Sequence, residues 1–271
     1  MFSPFGFMVT QAGGDTYLLD SYGSATIAYS LRKLSSSATN AIRVRRSNDN
    51  SETDIGFVGE ALDTTSLTSF VGANSAYIVK WYDQSGNSND ATQSTTASQP
   101  RIIEAGTLET INSLPALFFD SSNDYFNLTS NVATSNTSNW VQVLNRSSNT
   151  LNMTLGTTTG SPYGPYWYSD NNLYYAPSNG GGSSGRINGT TGHKLIYTDA
   201  VGGQVGFYDN NSLVTGITVG YSYAANNYIY LGRRNAEYYN GKQQEFILWN
   251  VDYGADRTDI QDNINTYYSI Y

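Results

Sequence analysis

Apolar and polar residues alternate in many short stretches of this 271-residue chain, which is the spacing of β-strands with one buried face. In residues 41–46, isoleucine and valine alternate with two arginines, so a strand is predicted there. A polar turn then leads to a second strand at 53–58, which completes a hairpin. Further strands or hairpins are predicted at 76–86, 101–106, 115–120, 124–129, 165–175, 193–199, 204–214, 227–233 and 244–250.

Three segments have helical spacing instead. Residues 26–34 have one apolar stripe, residues 62–71 follow a capping residue at Asp63 or Thr64, and residues 258–268 close the chain. The apolar positions are Ile27, Leu31 and Leu34 in the first segment and Ile260, Ile264 and Tyr267 in the last. We therefore predict three short helices, one of them C-terminal.

The composition agrees with a fold built of strands. Aromatic residues make up 14% of the chain, with 23 tyrosines, and only 13% of residues are charged. Such residues favour pleated surfaces, while the abundant glycine and asparagine favour turns. We predict an all-β fold of two packed sheets with a few short helices. The stretch 180–185 predicts a flexible loop, and residues 20–271 are predicted to form one domain after a lead-in at 1–19.

The net charge is -8, which disfavours nucleic acid and anionic membranes as partners. The chain also contains one basic cluster. We interpret it as a solvated face with local ion pairs and favour this interpretation over an anion-binding site. Its members are Arg32, Lys33, Arg43, Arg45 and Arg46, with Asp49, Glu52 and Asp54 as the expected acidic partners.

The first eight residues contain four large apolar side chains, Phe2, Phe5, Phe7 and Met8. Such a cluster is costly to leave in water, so we predict an assembly anchor that docks on a partner subunit. The alternative is that it packs under the edge of its own sandwich. No signal peptide and no membrane-spanning stretch are predicted, and the chain has no cysteine.

Five stretches occur in the order of a known enzyme family. They are AYSLRKLSSS, IRVRRSNDNSETDIGFV, KWYDQSGNSNDATQ, LPALFFDSSNDYFNL and IYLGRRNAEYYNGKQQEFILW. Together they resemble the catalytic domain of fungal α-L-arabinofuranosidase B over residues 18–126 and again over 228–268. The resemblance implies a concanavalin A-like (jelly-roll) sandwich. The same signature and the laminin-G-like ending also resemble domains of bacteriophage virion proteins.

The resemblance can be followed to the catalytic positions. A retaining glycosidase needs two carboxyl groups about 5 Å apart, one as nucleophile and one as acid/base. The family's nucleophile falls here on Asn171, or on Asp170 after a one-residue shift, and its acid/base falls on Ala236. An amide or a methyl group cannot ionise, so the chain is expected to lack glycosidase activity. If it is an enzyme after all, Asp170 and Glu237 are the fallback pair.

Other residues have chemistry that could contact a ligand. Aromatic rings stack on sugar faces, so five crowded aromatic residues are predicted to contact a glycan or a partner, although some could be core. They are Tyr166, Trp167, Tyr168, Tyr174 and Tyr175. Asp83 could bind a sugar hydroxyl, but we favour a cap on the turn at Ser85 and Gly86.

Metal binding has weaker support. Asp120, Asp124, Asp170 and Asp209 stand in turns and offer oxygen ligands for calcium, yet the same residues are ordinary turn formers, so no metal or cofactor is predicted. The single His193 is predicted to lie on a surface loop.

Three functions follow from these observations. The first is a non-catalytic bacteriophage virion module that decorates a capsid, tail or spike and binds host-surface glycan. It would contact other virion subunits or further copies of itself. The alternatives are an arabinofuranosidase-like glycoside hydrolase and a structural subunit without a ligand.

Overall fold

The computed structural model describes residues 17–135, 137–147, 152–157, 163–167, 172–178, 181–186, 192–202, 204–218 and 227–271. The anchor residues Phe2, Phe5, Phe7 and Met8 lie outside this set, as do Tyr168 and Asp170. None of the helices in the described part of the chain is long and apolar enough to span a membrane.

The described chain is built mainly of strands. The helices are α1 (Leu18–Ser21), α2 (Thr64–Val71) and α3 (Arg257–Tyr268), with a 3₁₀ turn at Thr96–Ser98. The strands are β1 (Ala25–Ser30), β2 (Asn40–Arg46), β3 (Glu52–Val58), β4 (Ala61–Leu62), β5 (Ala76–Trp81), β6 (Ala91–Thr92), β7 (Arg101–Glu104), β8 (Thr107–Leu108), β9 (Thr110–Ile111), β10 (Leu114–Pro115), β11 (Leu117–Asp120), β12 (Phe126–Ala133), β13 (Thr137–Arg146), β14 (Asn152–Met153), β15 (Leu155–Gly156), β16 (Tyr163–Trp167), β17 (Asn172–Ser178), β18 (Gly181–Arg186), β19 (His193–Val201), β20 (Gln204–Asp209), β21 (Ser212–Thr218), β22 (Asn227–Leu231), β23 (Arg233–Arg234), β24 (Glu237–Tyr238) and β25 (Asn240–Trp249).

The large sheet folds over into two layers. The first layer has the order β21-β20-β19-β13-β25, and β1 and β11 share the far edge of β25. The second layer has the order β4-β3-β2-β5-β6-β12-β22-β15. Strand β7 pairs with β5 and makes a single bridge to β11, which connects the layers. The predicted two-sheet sandwich is therefore confirmed.

The main core lies between the layers. Trp140 of the first layer packs edge-on against Tyr228 of the second, with ring centres 5.6 Å apart. The rings of Tyr29 and Trp81 lie 5.8 Å apart in a tilted arrangement, with an interplanar angle of 39°, and all four side chains are buried. Burying each such ring contributes about 1.5–3 kcal/mol, so the aromatic contacts between the two layers are a main source of stability.

A second core covers the other face of the first layer. Helix α3 packs Ile260, Ile264 and Tyr268 against that face, beside Val141 and Ile247. The predicted C-terminal helix is confirmed, but its third buried position is Tyr268, whereas Tyr267 is only partly buried. Helix α2 is confirmed as well, with the Asp63 carboxylate accepting a hydrogen bond from the Ser66 N–H.

Two local predictions are wrong. Residues 25–30 form strand β1 and not a helix, because the segment pairs with β25 and has cores on both faces. A strand buried on both faces is apolar throughout, and its sequence period does not distinguish it from a helix. The stretch predicted as a flexible loop at 180–185 contributes to strand β18, which pairs with β17.

The four arginines of the basic cluster divide into two groups. Arg43 pairs with Glu52 and Asp54, and Arg46 pairs with Asp49, so a wet face with local ion pairs is confirmed for these arginines. Arg32 and Arg45 are buried instead, which corrects the prediction for them. Arg32 contacts the buried Glu245 at 2.8 Å.

Candidate functional site

Strands β2, β5 and β7 and the neighbouring strand β11 of the first layer place arginine and aromatic side chains opposite one another. Arg45 of β2 lies opposite Tyr77 of β5, and Tyr77 lies opposite Arg101 of β7. Arg101 is in turn opposite Phe118 of β11. The guanidinium carbon of Arg45 lies 5.1 Å from the Tyr77 ring centre, and that of Arg101 lies 4.8 Å from the Phe118 ring centre. We call these four residues the Arg–aromatic ladder.

The ladder lines a cavity of about 410 Å³, which is large enough for a small polar ligand. The rest of the lining comes from the hairpin turn after β2, the segment before β7 and the turn after β11. These parts contribute Asn50, Thr96, Ala97, Gln99, Asp120 and Asp124. Most of these residues are polar, so the cavity offers hydrogen bonds more than apolar contact.

Arg45 is fixed inside this cavity. Its side chain is buried, its Nε donates to Gln99 Oε1 at 2.7 Å, and its Nη1 donates to Asn50 Oδ1 at 2.8 Å. Asn50 adopts a left-handed backbone with φ of 58°, a conformation that asparagine tolerates well. The Nη2 group makes no hydrogen bond to any described residue, so it is a donor available to a ligand.

Two aspartates stand near one another in the lining. Asp124 is 6% exposed, and its Oδ2 accepts a hydrogen bond from the Asp120 backbone N–H at 3.0 Å. Asp120 Oδ1 accepts from the N–H groups of Ser122 and Asn123. Within the described residues, the second oxygen of each carboxylate has no hydrogen-bond partner. These two oxygens are acceptors available to a ligand.

The charge of the cavity is close to balanced. Arg101 donates to Glu104 and Glu109 at 2.8 and 2.6 Å, which neutralises its positive charge locally. The guanidinium of Arg45 and the carboxyl groups of Asp120 and Asp124 line the same cavity. A neutral ligand with several hydroxyl groups fits this arrangement better than an ion does.

Burial raises the pKa of Asp124 from its ordinary value of 3.8 to about 7, and the nearby charge of Asp120 adds to the effect. The folded state therefore holds this proton more tightly than the unfolded state does. The stability that this group contributes is complete below pH 3.8 and is lost as the pH rises to about 7. A buried carboxyl group that lowers the stability of the folded protein at neutral pH is typical of a functional site.

We expect Asp124→Asn to be more stable than the natural protein at pH 8, by on the order of 2 kcal/mol, because the amide never has to ionise. The difference should vanish at pH 4, where Asp124 is protonated. Urea unfolding at both pH values measures this, with the exposed Asp262→Asn as the control. An equal pH dependence in the natural protein and Asp124→Asn would contradict the argument.

Asp83 is mainly a structural residue in its own surroundings. Its Oδ1 accepts from the backbone N–H groups of Ala28 and Ser85, and its Oδ2 accepts from the Ser85 hydroxyl and the Asn89 N–H. The favoured cap on the turn is thus confirmed at Ser85. Asp83 also lines a smaller cavity of about 220 Å³, so its role as a glycan contact stays a prediction.

Glu237 and His193 are not among the described residues that line the ladder cavity. Glu237 of β24 forms an ion pair with Arg234 at 3.0 Å, and its fallback partner Asp170 is outside the described residues. Tyr166, Trp167, Tyr174 and Tyr175 belong to strands β16 and β17, which pair with each other. His193 begins strand β19 and is partly buried, so the surface-loop prediction is wrong.

The candidate calcium ligands do not form one group. Asp120 and Asp124 share the ladder cavity, whereas Asp209 pairs with Lys194 at 2.7 Å elsewhere. Among the described residues, no three histidine, cysteine, aspartate or glutamate side chains gather in a way that could hold a metal ion.

The sequence does not predict that most of the residues lining this cavity lie together. The alternation in β2 placed Arg45 on the outer face, but nothing in the sequence indicated that a loop would bury it there. The partners Tyr77, Arg101 and Phe118 come from strands far apart in the chain, and only the sheet register brings them together.

The two layers, the buried aromatic core and the short C-terminal helix define an all-β sandwich. No family model matches the sequence, and no curated protein matches it. A GH54 α-L-arabinofuranosidase soaked with a cyclic sulfate inhibitor shares the fold with a TM-score of 0.63 at 17% identity. An arabinofuranosidase complexed with arabinofuranosyl-α-1,2-xylobiose gives a TM-score of 0.62 at 17% identity.

Both comparisons cover 89% of this chain but only 62% of the other chain, so this chain spans less than two thirds of their length. At such low identity the similarity shows a common β-sandwich fold. It does not carry the activity of those enzymes over to this chain.

Proposed function

We propose that this chain is a non-catalytic, glycan-binding β-sandwich module. The observation that carries the proposal is the ladder cavity, in which Arg45 offers a free donor and Asp120 and Asp124 offer free acceptors. Sugar hydroxyl groups both donate and accept hydrogen bonds, so a glycan can satisfy both kinds of group at once. The neighbouring structures, whose names describe arabinofuranosidases, support a carbohydrate ligand.

The balance of charge supports a neutral sugar as the ligand class. The Arg101 charge is already paired with Glu104 and Glu109. The phenol hydroxyl of Tyr77 makes no hydrogen bond to a described residue, so it is a further neutral group that a sugar hydroxyl could bind. A hydrogen bond to a charged group contributes about 1.5–3 kcal/mol, so a few such bonds give specific, moderate affinity.

We expect the natural protein to bind at least one glycan on an array of bacterial-surface glycans and arabino-oligosaccharides at pH 7.5. Asp124→Asn should weaken that binding by about tenfold or more, because a charged acceptor is lost. The exposed Asp262→Asn, on helix α3, should bind as the natural protein does. Failure to bind any glycan, or equal binding by Asp124→Asn, would overturn the proposal.

The module is further proposed to sit on the surface of a bacteriophage virion, as decoration of a capsid, tail or spike. The motif order in the first half of the chain and the acidic net charge support this location. The partners would be other virion subunits or copies of the same chain, contacted through the apolar residues Phe2, Phe5, Phe7 and Met8.

Deleting residues 1–12 tests that location. We expect the shortened protein to melt at the same temperature but no longer to oligomerise or join its particle, because residues 17–271 already contain the buried cores. Calorimetry and light scattering measure the two properties. A melting temperature several degrees lower in an unchanged monomer would show that the segment belongs to the core instead.

A further inference from the structure

Three tyrosines surround the guanidinium group of Arg233. Its central carbon lies 4.6 Å from the Tyr125 ring centre, 4.8 Å from Tyr230 and 5.4 Å from Tyr238. Tyr125 also packs edge-on against Tyr230 at 5.4 Å. We call Tyr125, Tyr230, Tyr238 and Arg233 the tyrosine cluster.

The backbone holds the cluster in one arrangement. Arg233 and Tyr238 lie opposite one another in the β23–β24 hairpin, and Arg233 Nε donates to the Asn235 carbonyl at 2.7 Å. The preceding Gly232 has φ of 83°, and a Cβ atom there would lie 2.7 Å from the Phe119 ring. Only glycine fits that position, so the hairpin packs tightly against β11.

The cluster adjoins the ladder cavity. Tyr125 follows Asp124 directly, and the Tyr125 N–H donates to the Ser98 carbonyl at 3.3 Å. Ser98 stands between Ala97 and Gln99, which both line the cavity. The turn that contains Asp124 and Tyr125 and the loop at 97–99 therefore contribute to both the ladder cavity and the tyrosine cluster.

The tyrosines retain unused binding capacity. All three side chains are partly exposed, and their phenol hydroxyl groups make no hydrogen bond to any described residue. The rings are held in place by Arg233, so binding to them would cost little conformational entropy. A rigid surface of partly exposed rings with free hydroxyl groups suits the apolar face and the hydroxyls of a sugar.

We propose that the ladder cavity and the tyrosine cluster are two subsites of one site, so that the ligand is an oligosaccharide and not a single sugar. This inference rests on the proposed function. Asp120, Asp124 and Arg45 would hold one sugar residue by hydrogen bonds. The tyrosine cluster would hold a neighbouring residue of the same glycan.

The test uses the full chain on an array that pairs each immobilised monosaccharide with oligosaccharides of the same sugar. We expect the natural protein to prefer the oligosaccharides by about tenfold. Tyr238→Ala should remove this preference and leave monosaccharide binding unchanged, and Tyr238→Phe should retain most of it because the ring remains. Tyr271→Ala, which changes a tyrosine that is 47% exposed at the end of the chain, is the matched control. Melting temperatures identify any variant that fails to fold.

The outcomes separate the two proposals. Equal binding of monosaccharides and oligosaccharides by the natural protein would overturn the second subsite and leave the glycan-binding function standing. A length preference that survives in folded Tyr238→Ala would also overturn the second subsite. Binding to no sugar of any length would overturn the proposed function and, with it, this inference.

Discussion

A chain that ends at residue 243 is expected not to fold. Strand β25 lies between β13 on one side and β1 and β11 on the other, so most of its length is inside the first layer. Its Phe246, Leu248 and Trp249 are completely buried, and each such side chain is worth about 1.5–3 kcal/mol. The deletion also removes helix α3, which covers the second core. The combined loss is comparable to the whole stability of a typical domain, which is about 5–15 kcal/mol.

Circular dichroism and urea unfolding of the fragment 1–243 measure this directly. The single substitution Phe246→Ala is a less disruptive test of the same strand. It should lower the free energy of unfolding by about 3–5 kcal/mol without abolishing the fold. A soluble fragment that melts cooperatively would contradict the prediction. It would mean that residues 20–271 contain two independent domains.

Replacing Glu245 by glutamine is expected to lower the free energy of unfolding by up to about 3–5 kcal/mol, because it removes the buried ionic partner of Arg32. The guanidinium would then keep only Glu60, a partly exposed carboxylate 2.7 Å away. Arg32 and Glu245 are 1% and 0% exposed and lie 2.8 Å apart. Burial alone would lower the pKa of Arg32, but the charge and the hydrogen bond of Glu245 raise it above its ordinary value. The same carboxylate also accepts from the Ser30 and Tyr268 hydroxyl groups.

The chain contains a matched control for this experiment. Arg43 and Glu52 also lie 2.8 Å apart, but their side chains are 39% and 36% exposed. Water already solvates that pair, so Glu52→Gln should change the unfolding free energy by only about 0–1 kcal/mol. Urea unfolding at pH 7 compares the two variants. Equal effects would show that burial does not determine the strength of the Arg32 pair.

The candidate site was less predictable from the sequence than the fold. Asp120 and Asp124 are predicted from the sequence as turn aspartates that offer oxygen ligands, yet no local pattern places them near Arg45. Their joining depends on the bridge between β7 and β11 and on the loop that covers Arg45. Likewise, Tyr125 and Tyr238 are far apart in the chain, and the turn at Gly232 brings them to one place.

The sequence by itself determined the features that depend on neighbours along the chain. Alternation identified the β2–β3 hairpin, the apolar run identified β25, and a capping aspartate and regular apolar spacing identified α2 and α3. Only the tertiary structure decided that residues 25–30 form a strand, that Arg32 and Arg45 are buried, and that the ladder encloses a cavity. Each of these results depends on residues distant in sequence, because strand pairing and burial are set by the partner strand and not by local propensity.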